Sequence, residues 1–202
     1  MGRRKAKWVR YLACILIGCA VLCSIGVLTR PVDEVVLTIG EPYEQVRLKS
    51  RSTLPPMESA GSWAGFVDRA AQLRFDDAKF GFVTPAAKFL WVGYDKHGMV
   101  WTVSMSPQVE TLPLDQAMTI VLDLQEQLRR RGWRPVKTHR FPPITQEPAM
   151  IASIRRGDDP MTFWRAADKY GASLDIRRFE DRPDDERYLI TLRLSGPPFL
   201  DG

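Results

Sequence analysis

The amino-acid sequence predicts an α+β fold, with an antiparallel sheet of hairpins packed by helices and preceded by one N-terminal transmembrane helix. Three features support this prediction. Residues 11–28 are uncharged and apolar and follow a basic segment. Two pairs of β-rich runs are each joined by turn-forming residues, and stretches with helical apolar spacing lie between these pairs. Strands that come as hairpins separated by helices are typical of α+β proteins.

The net charge of +5 belongs to the amino end of the chain. Residues 1–30 contain six basic residues and no acid, whereas from Pro31 onward 23 Lys and Arg stand against 24 Asp and Glu. The part that follows the apolar run is therefore close to neutral. Nucleic-acid binding needs a basic surface on the folded part, so we expect no nucleic-acid partner.

The apolar run at residues 11–28 predicts a transmembrane helix. Eighteen residues rise roughly 27 Å as a helix, close to the thickness of a bilayer's hydrocarbon core. Because the basic residues precede the run, residues 1–10 are predicted to be cytoplasmic and the remainder periplasmic, which makes the chain a single-pass bacterial inner-membrane protein with a signal anchor. The side chains expected in the membrane are Tyr11, Leu12, Ile15, Leu16, Ile17, Val21, Leu22, Ile25, Val27 and Leu28.

Two other interpretations of the amino end stay open. Residues 16–19, Leu-Ile-Gly-Cys, resemble a lipobox, which would make the protein a lipoprotein tethered through Cys19. The segment would alternatively act as an export signal that is cleaved. The same domain is exported in all three cases. Because all three cysteines lie inside the apolar run, the exported part has no thiol for a disulfide, for catalysis or for a metal.

Beyond the anchor we expect two regions. Residues 32–62 are predicted to be juxtamembrane, with a strand at 32–39, a short helix that opens at Pro42, and a polar, proline-bearing linker over 50–62. Residues 63–196 are predicted to form the extracytoplasmic α+β domain. Its expected elements are a helix over 63–73, a hairpin of 89–94 with 99–105, a helix over 114–131, a strand at 136–141, a helix between Asp159 and Gly171, and a hairpin of 172–179 with 187–194.

The first hairpin carries the candidate binding residues. Its turn, residues 95–98, has Asp first and Gly fourth, which suits a type I turn followed by a bulge. Simple alternation places one set of side chains on one face, namely Phe89, Trp91, Met99, Trp101, Val103 and Met105. The other face then holds Leu90, Val92, Tyr94, Val100, Thr102 and Ser104. Neither face is fully polar, so the hairpin is predicted to be covered on both sides, or covered on one side and binding something with the other. Trp91, Trp101 and Tyr94 are the candidate partner-binding residues.

The sequence offers little catalytic chemistry. The nucleophile elbow, the phosphate-binding glycine loops and the zinc-binding helix motif are not found. His97 falls in a tight turn and His139 in a proline-rich stretch, and neither has a second His at helical spacing to share a metal. Asp76 and Asp77 are adjacent, which favours a solvated turn over paired catalytic acids. We therefore expect no catalytic, cofactor-binding or metal-binding residues.

These observations predict a membrane-anchored periplasmic domain that acts as a non-enzymatic protein-binding module. Envelope assembly factors and immunity proteins that neutralise a toxin both have this organisation. The competing interpretation is an envelope enzyme that uses dispersed acidic residues. The sequence does not indicate whether a small molecule also binds.

Overall fold

The computed structural model describes residues 31–57, 63–182 and 185–197, and these form an α+β fold with three helices and mostly antiparallel strands. Along the chain lie β1 (Asp33–Leu37), α1 (Tyr43–Lys49), β2 (Ala64–Phe66), β3 (Ala71–Phe75), β4 (Phe82–Val83), β5 (Leu90–Tyr94), β6 (Val100–Met105), α2 (Leu114–Arg130), β7 (Arg134–Val136), α3 (Pro148–Arg156), β8 (Met161–Ala166), β9 (Tyr170–Arg182) and β10 (Asp185–Ser195). The described residues from Asp33 onward form one compact unit.

Seven strands form the main sheet in the order β2-β5-β6-β10-β9-β8-β7, with every neighbouring pair antiparallel. Alternate residues of these strands point to one side, where α2 and α3 contact β9 and β10. We call this side the covered face. Its side chains are buried and mostly apolar: Leu90, Val92, Val103, Met105, Trp164, Leu174, Ile176, Ile190, Leu192 and Leu194.

Helix α2 covers the middle of this face because its apolar residues recur at helical spacing. Ala117, Met118, Val121, Leu124 and Leu128 are all buried along it. The basic residues Arg129 and Arg130 in its last turn complement the helix dipole. The predicted helix over 114–131 is confirmed.

A smaller sheet, in the order β1-β3-β4, packs beside the main one. Strand β1 pairs parallel with β3, from Asp33 opposite Ala71 to Leu37 opposite Phe75. A buried aromatic cluster joins this sheet to the rest: Trp133 Nε1 donates a hydrogen bond of 2.9 Å to the Phe80 carbonyl, and the ring of Tyr170, at the start of β9, packs against Phe75.

Several predicted elements are confirmed. The hairpins form as β5–β6 and β9–β10, β1 lies inside the predicted strand, and α1 follows Pro42. In the first turn the Gly98 N–H donates to the Asp95 carbonyl at 2.8 Å, and Gly98 takes the positive φ of 74° that the predicted bulge requires.

Two predicted helices are wrong. Residues 63–73 form β2, a loop and β3, because the helical spacing of their apolar residues also fits two short strands that pair with β5 and with β1. The predicted helix between Asp159 and Gly171 is strand β8 and a turn. In MTFWRA the alternate residues Thr162, Trp164 and Ala166 are buried, and Asp159 is left-handed with a φ of 47°, so it does not cap a helix.

One helix, α3, was not predicted. Of its nine residues only Ile154 is fully buried, so its apolar pattern is weak. Its ends carry the signals that would have found it: Pro148 lies in the first turn, Arg155 and Arg156 in the last, and Gly157 is left-handed just beyond.

The predicted transmembrane segment 11–28, including Cys19, lies outside the described residues, as do residues 58–62 of the predicted linker. Among the helices of the described part, none has the length and apolar character needed to cross a membrane.

Candidate functional site

The second face of the main sheet is the candidate site. No helix of the described residues packs on it, and we call it the open face. One row of cross-strand neighbours shows its composition, running from β2 to β8 through Phe66, Trp91, Ser104, Arg193, Ser173 and Phe163. Aromatic side chains thus lie at both ends of the row, and small or charged polar side chains lie in the middle.

Two adjoining hollows of about 920 and 650 Å³ extend over this face. They share five lining residues, which are Trp91, Met161, Asp175, Thr191 and Arg193. Because the hollows share these side chains, they form one continuous cleft. The row of strands that it crosses, β5, β6, β10, β9 and β8, gives the cleft a floor made of sheet backbone and short side chains.

A β-bulge brings the two tryptophans of the first hairpin together. Gly93 pairs with Thr102, but the next residue, Tyr94, pairs with Val100, so Trp101 is the extra residue of β6. A side chain built on Gly93 would lie 2.8 Å from the Trp91 ring and 3.3 Å from Trp101 Nε1. The absence of a side chain at Gly93 therefore leaves room for both indoles on the open face.

The bulge also corrects the predicted faces of the hairpin. Val103 and Met105 lie on the covered face opposite Val92 and Leu90, not with Trp91. Thr102 and Ser104, predicted on the opposite side from the tryptophans, share the open face with Trp91. Simple alternation fails here because one unpaired residue shifts the register of all the residues that follow it.

The candidate residue Tyr94 does not line the open face. Its ring is 4% exposed and packs on Tyr43 of α1, with the ring centroids 4.5 Å apart. Trp91 is half-buried and Trp101 is 48% exposed, so both are accessible to a partner. Phe66 and Phe89, 52% and 46% exposed, lie beside Trp91, and the Phe66 and Trp91 centroids are 6.2 Å apart.

The charged centre of the open face lies on β9 and β10. Asp175 faces Thr191 across the strand pair, with Arg177 two residues further along β9 and Arg193 two residues further along β10. Burial raises the pKa of the Asp175 carboxyl, while the Thr191 hydroxyl and the guanidinium groups of Arg177 and Arg193 act in the opposite direction. Desolvation outweighs the two arginines because neither is within ion-pair distance of the carboxylate.

The other titratable candidates lie outside the cleft, in turns and loops. His97 is exposed in the β5–β6 turn, where its backbone N–H donates to Asp95 Oδ1, and His139 is also exposed. Asp77 accepts hydrogen bonds from the Phe80 N–H at 2.8 Å and the Tyr170 hydroxyl at 3.0 Å, so it holds a turn together. Over residues 31–57, 63–182 and 185–197, no group of three or more metal-ligating side chains is found.

Sequence reasoning identified Trp91 and Trp101 but missed Phe163, Asp175 and Arg193. The incorrect helix over 159–171 hid Phe163, whose position opposite Ser173 only a strand can produce. The alternation along β9 and β10 was visible, but which strands stand beside the first hairpin was not.

No protein-family model matches the chain, and no curated protein or solved structure is similar to it. The fold and the site therefore define the protein by class: an α+β protein whose main sheet is covered by helices on one face and carries an aromatic cleft with a charged centre on the other.

Proposed function

We propose that the protein is a non-enzymatic binding module, held at the bacterial inner membrane by residues 11–28, that uses the open face to bind a protein partner in the periplasm. The observation that carries the proposal is the contrast within a single sheet. One face is packed by helices, whereas the other presents exposed aromatic side chains around an open cleft. Exposed apolar patches with polar surroundings are typical of interaction sites.

The composition of the open face supports a protein as the partner. The centres of protein–protein interfaces are enriched in Trp, Phe, Met and Arg, and Trp and Arg are the commonest hot spots. The cleft is lined by these residue types: Trp91, Trp101, Phe89, Met161, Phe163, Arg177 and Arg193. The extent of the open face also fits, because its seven strands at about 4.8 Å spacing span roughly 29 Å, more than a small molecule needs.

An enzyme that uses dispersed acids is the competing proposal. Its supporting observation is the raised pKa of Asp175 inside the cleft, with the Asp159 carboxylate acting in the same direction as burial. The two proposals differ in what Asp175→Asn does. A catalytic acid is lost with this substitution, whereas a binding face keeps its shape and its aromatic contacts.

Site-specific photo-crosslinking in the producing cell tests the binding proposal. A benzoylphenylalanine placed at Phe66 or Phe89 is a conservative aromatic replacement on the open face, and Leu48, 74% exposed on α1, is the control position. We expect one polypeptide adduct shared by Phe66 and Phe89, not seen at Leu48, and lost when Trp91→Ala is added. Equal adducts at Leu48, or adducts that persist in Trp91→Ala, would contradict the proposal.

The membrane anchor is tested separately. We expect mass spectrometry of the mature protein to find the unprocessed amino terminus, and an alkaline phosphatase fused after residue 197 to be active. A lipidated Cys19 at the amino terminus would instead establish the lipoprotein alternative, and a chain that starts beyond residue 24 would establish the cleaved signal.

A further inference from the structure

Two guanidinium groups on the open face, those of Arg177 and Arg193, differ from those of several other arginines on the surface. In the described residues, arginines elsewhere commonly pair with carboxylates, as Arg47, Arg69, Arg74, Arg129, Arg130, Arg155 and Arg156 do. Arg177 and Arg193 form no ion pair or side-chain hydrogen bond within the described part, although Asp175 lies between them on the same face. Their donors are therefore available to an incoming anionic group.

The neighbours of these two arginines leave them accessible. Arg193 lies between Ser104 on β6 and Ser173 on β9, both of which have short side chains. Both Arg177 and Arg193 are exposed, and both line the cleft. A partner that packs on the nearby aromatic rings would exclude water from part of the cleft, which would strengthen a guanidinium–carboxylate contact relative to one in bulk solvent.

The positions of Arg177 and Arg193 also set the distance between the two anionic groups that they would bind. Ser173, the cross-strand partner of Arg193, lies four residues before Arg177 on β9. Four strand residues correspond to about 13 Å along the strand direction. Two carboxylates four residues apart in an extended segment have the same separation, so one extended segment that runs along β9 and β10 reaches both arginines.

We propose that the partner contacts the open face through an extended acidic polypeptide segment, with one carboxylate on Arg177, a second about four residues away on Arg193, and apolar side chains against Trp91 and Trp101. This inference rests on the proposed binding function and adds the chemistry of the partner. The rim carries both signs, with Lys88 against Glu110 and Asp159, and adds no strong preference of its own. At the centre of the cleft two guanidinium groups accompany the single carboxylate of Asp175, so the preference for an anionic segment comes from the centre.

A second copy of this chain is a poorer occupant. In a two-fold symmetric contact the open face meets itself, which places the Arg177 and Arg193 guanidinium groups of one copy near those of the other. Like charges that face each other in a desolvated contact are unfavourable. A neutral oligosaccharide would stack on the tryptophans but would leave both arginines without a counter-charge.

Selection from a random peptide-display library against the full-length chain in detergent micelles tests the inference. We expect selected peptides enriched in pairs of Asp or Glu three to five residues apart with an aromatic or aliphatic residue nearby. Synthetic copies should bind at least 10-fold more weakly to Arg177→Ala/Arg193→Ala than to the unchanged protein, and more weakly as salt rises. Arg131→Ala, an exposed arginine beyond the end of α2, is the matched control and should bind as the unchanged protein does.

The outcomes separate this inference from the function on which it rests. Peptides that need Trp91 but show no acidic enrichment, or that bind the double arginine variant equally well, overturn the acidic partner and leave the binding module standing. If neither peptides nor the photo-crosslinked polypeptide depend on Trp91, or if a neutral oligosaccharide is the ligand that does, both proposals are overturned. Circular dichroism of the double variant, whose substituted side chains are exposed, verifies that it is folded.

Discussion

The two faces of the seven-stranded sheet are built from neighbouring residues of the same strands, yet they differ in composition. Leu192 is buried beneath the helices and Arg193 lies in the open cleft; Leu90 and Trp91, and Trp164 and Phe163, form similar pairs. The covered face is mainly aliphatic, whereas the open face combines aromatic rings with arginine. We therefore expect the covered face to supply most of the stability of the fold, and we propose that the large side chains of the open face serve binding.

The largest effect that we expect is a difference between the two faces in the free energy of unfolding lost when a tryptophan is removed. Trp164→Ala removes a ring that is 1% exposed on the covered face, and we expect it to lower the free energy of unfolding by about 3–5 kcal/mol. Trp101→Ala removes a ring that is half exposed, and we expect a loss below about 1 kcal/mol. Urea denaturation of both variants measures the difference. Similar losses for the two would contradict the division of roles between the faces.

For binding we expect the reverse order, with the larger effect from a substitution on the open face. Trp101→Ala is expected to weaken binding of the photo-crosslinked polypeptide or of a selected peptide about 30-fold, the effect of losing a hot spot of about 2 kcal/mol. Isothermal titration of the purified protein provides the number. Thr119→Ala, an exposed position on α2, is the control and should leave the affinity unchanged.

Gly93→Ala, at the floor of the cleft, tests whether the position of the Trp91 ring matters for binding. The added methyl would lie 2.7 Å from Thr102 Cγ2 and 2.8 Å from the Trp91 ring, so the ring must move. We expect a cost of about 1 kcal/mol in stability, at the low end for overpacking, together with weaker binding and a shifted Trp91 fluorescence. If binding is retained with the ring displaced, the position of Trp91 is not important for the site.

The pH dependence of stability provides the smallest effect. Burial raises the pKa of Asp175 above its ordinary value of 3.8, so the ionised carboxyl is disfavoured in the fold. The Asp159 carboxylate also raises this pKa, whereas the Thr191 hydroxyl, Arg177 and Arg193 lower it by less than burial raises it. The stability that the neutral carboxyl supplies is complete below the unfolded value and is lost as pH rises through the folded one. Asp175→Asn should therefore raise the melting temperature at pH 7 and leave it nearly unchanged near pH 3.

Asp77 is the control of opposite sign. Burial raises its pKa, but hydrogen bonds from the Phe80 and Lys79 N–H groups and the Tyr170 hydroxyl outweigh this and lower it. Its contribution to stability is present above the unfolded value and is lost as pH falls through the folded one. Asp77→Asn should lower the melting temperature at pH 7, with a smaller loss near pH 3.

The Asp175 prediction would be contradicted if Asp175→Asn lowered the melting temperature at pH 7. That result would mean that Arg177 and Arg193 stabilise the carboxylate more than burial destabilises it.

The sequence predicted what local patterns determine. The turn Asp95–Gly98 and the apolar stripe of α2 are local, and both were found where the structure has them. The order of the strands, the Trp101 bulge and the strand nature of 161–166 depend on which segments pair across long separations. Helical and strand spacing overlap in short segments, and only pairing with β7 and β9 selects the strand for Met161–Ala166.

The candidate site was predicted in part for the same reason. Trp91 and Trp101 belong to a local hairpin, and alternation correctly grouped them with Phe89. Phe66, the other exposed aromatic residue beside Trp91, was missed because the sequence predicted a helix over 63–73. Asp175, Arg177 and Arg193 join them only because β10 pairs with β6, between residues about ninety positions apart. A single sequence carries no local signal for that pairing.

The central claim is that the open face binds and the covered face does not. Fluorine NMR of the full-length chain labelled with 5-fluorotryptophan tests it directly, with a soluble paramagnetic agent that broadens exposed rings. Addition of the crosslinked polypeptide or a selected peptide should protect Trp91 and Trp101 from broadening and leave the buried Trp133 and Trp164 unchanged. A saturating partner that leaves Trp91 and Trp101 as broadened as before would contradict the claim.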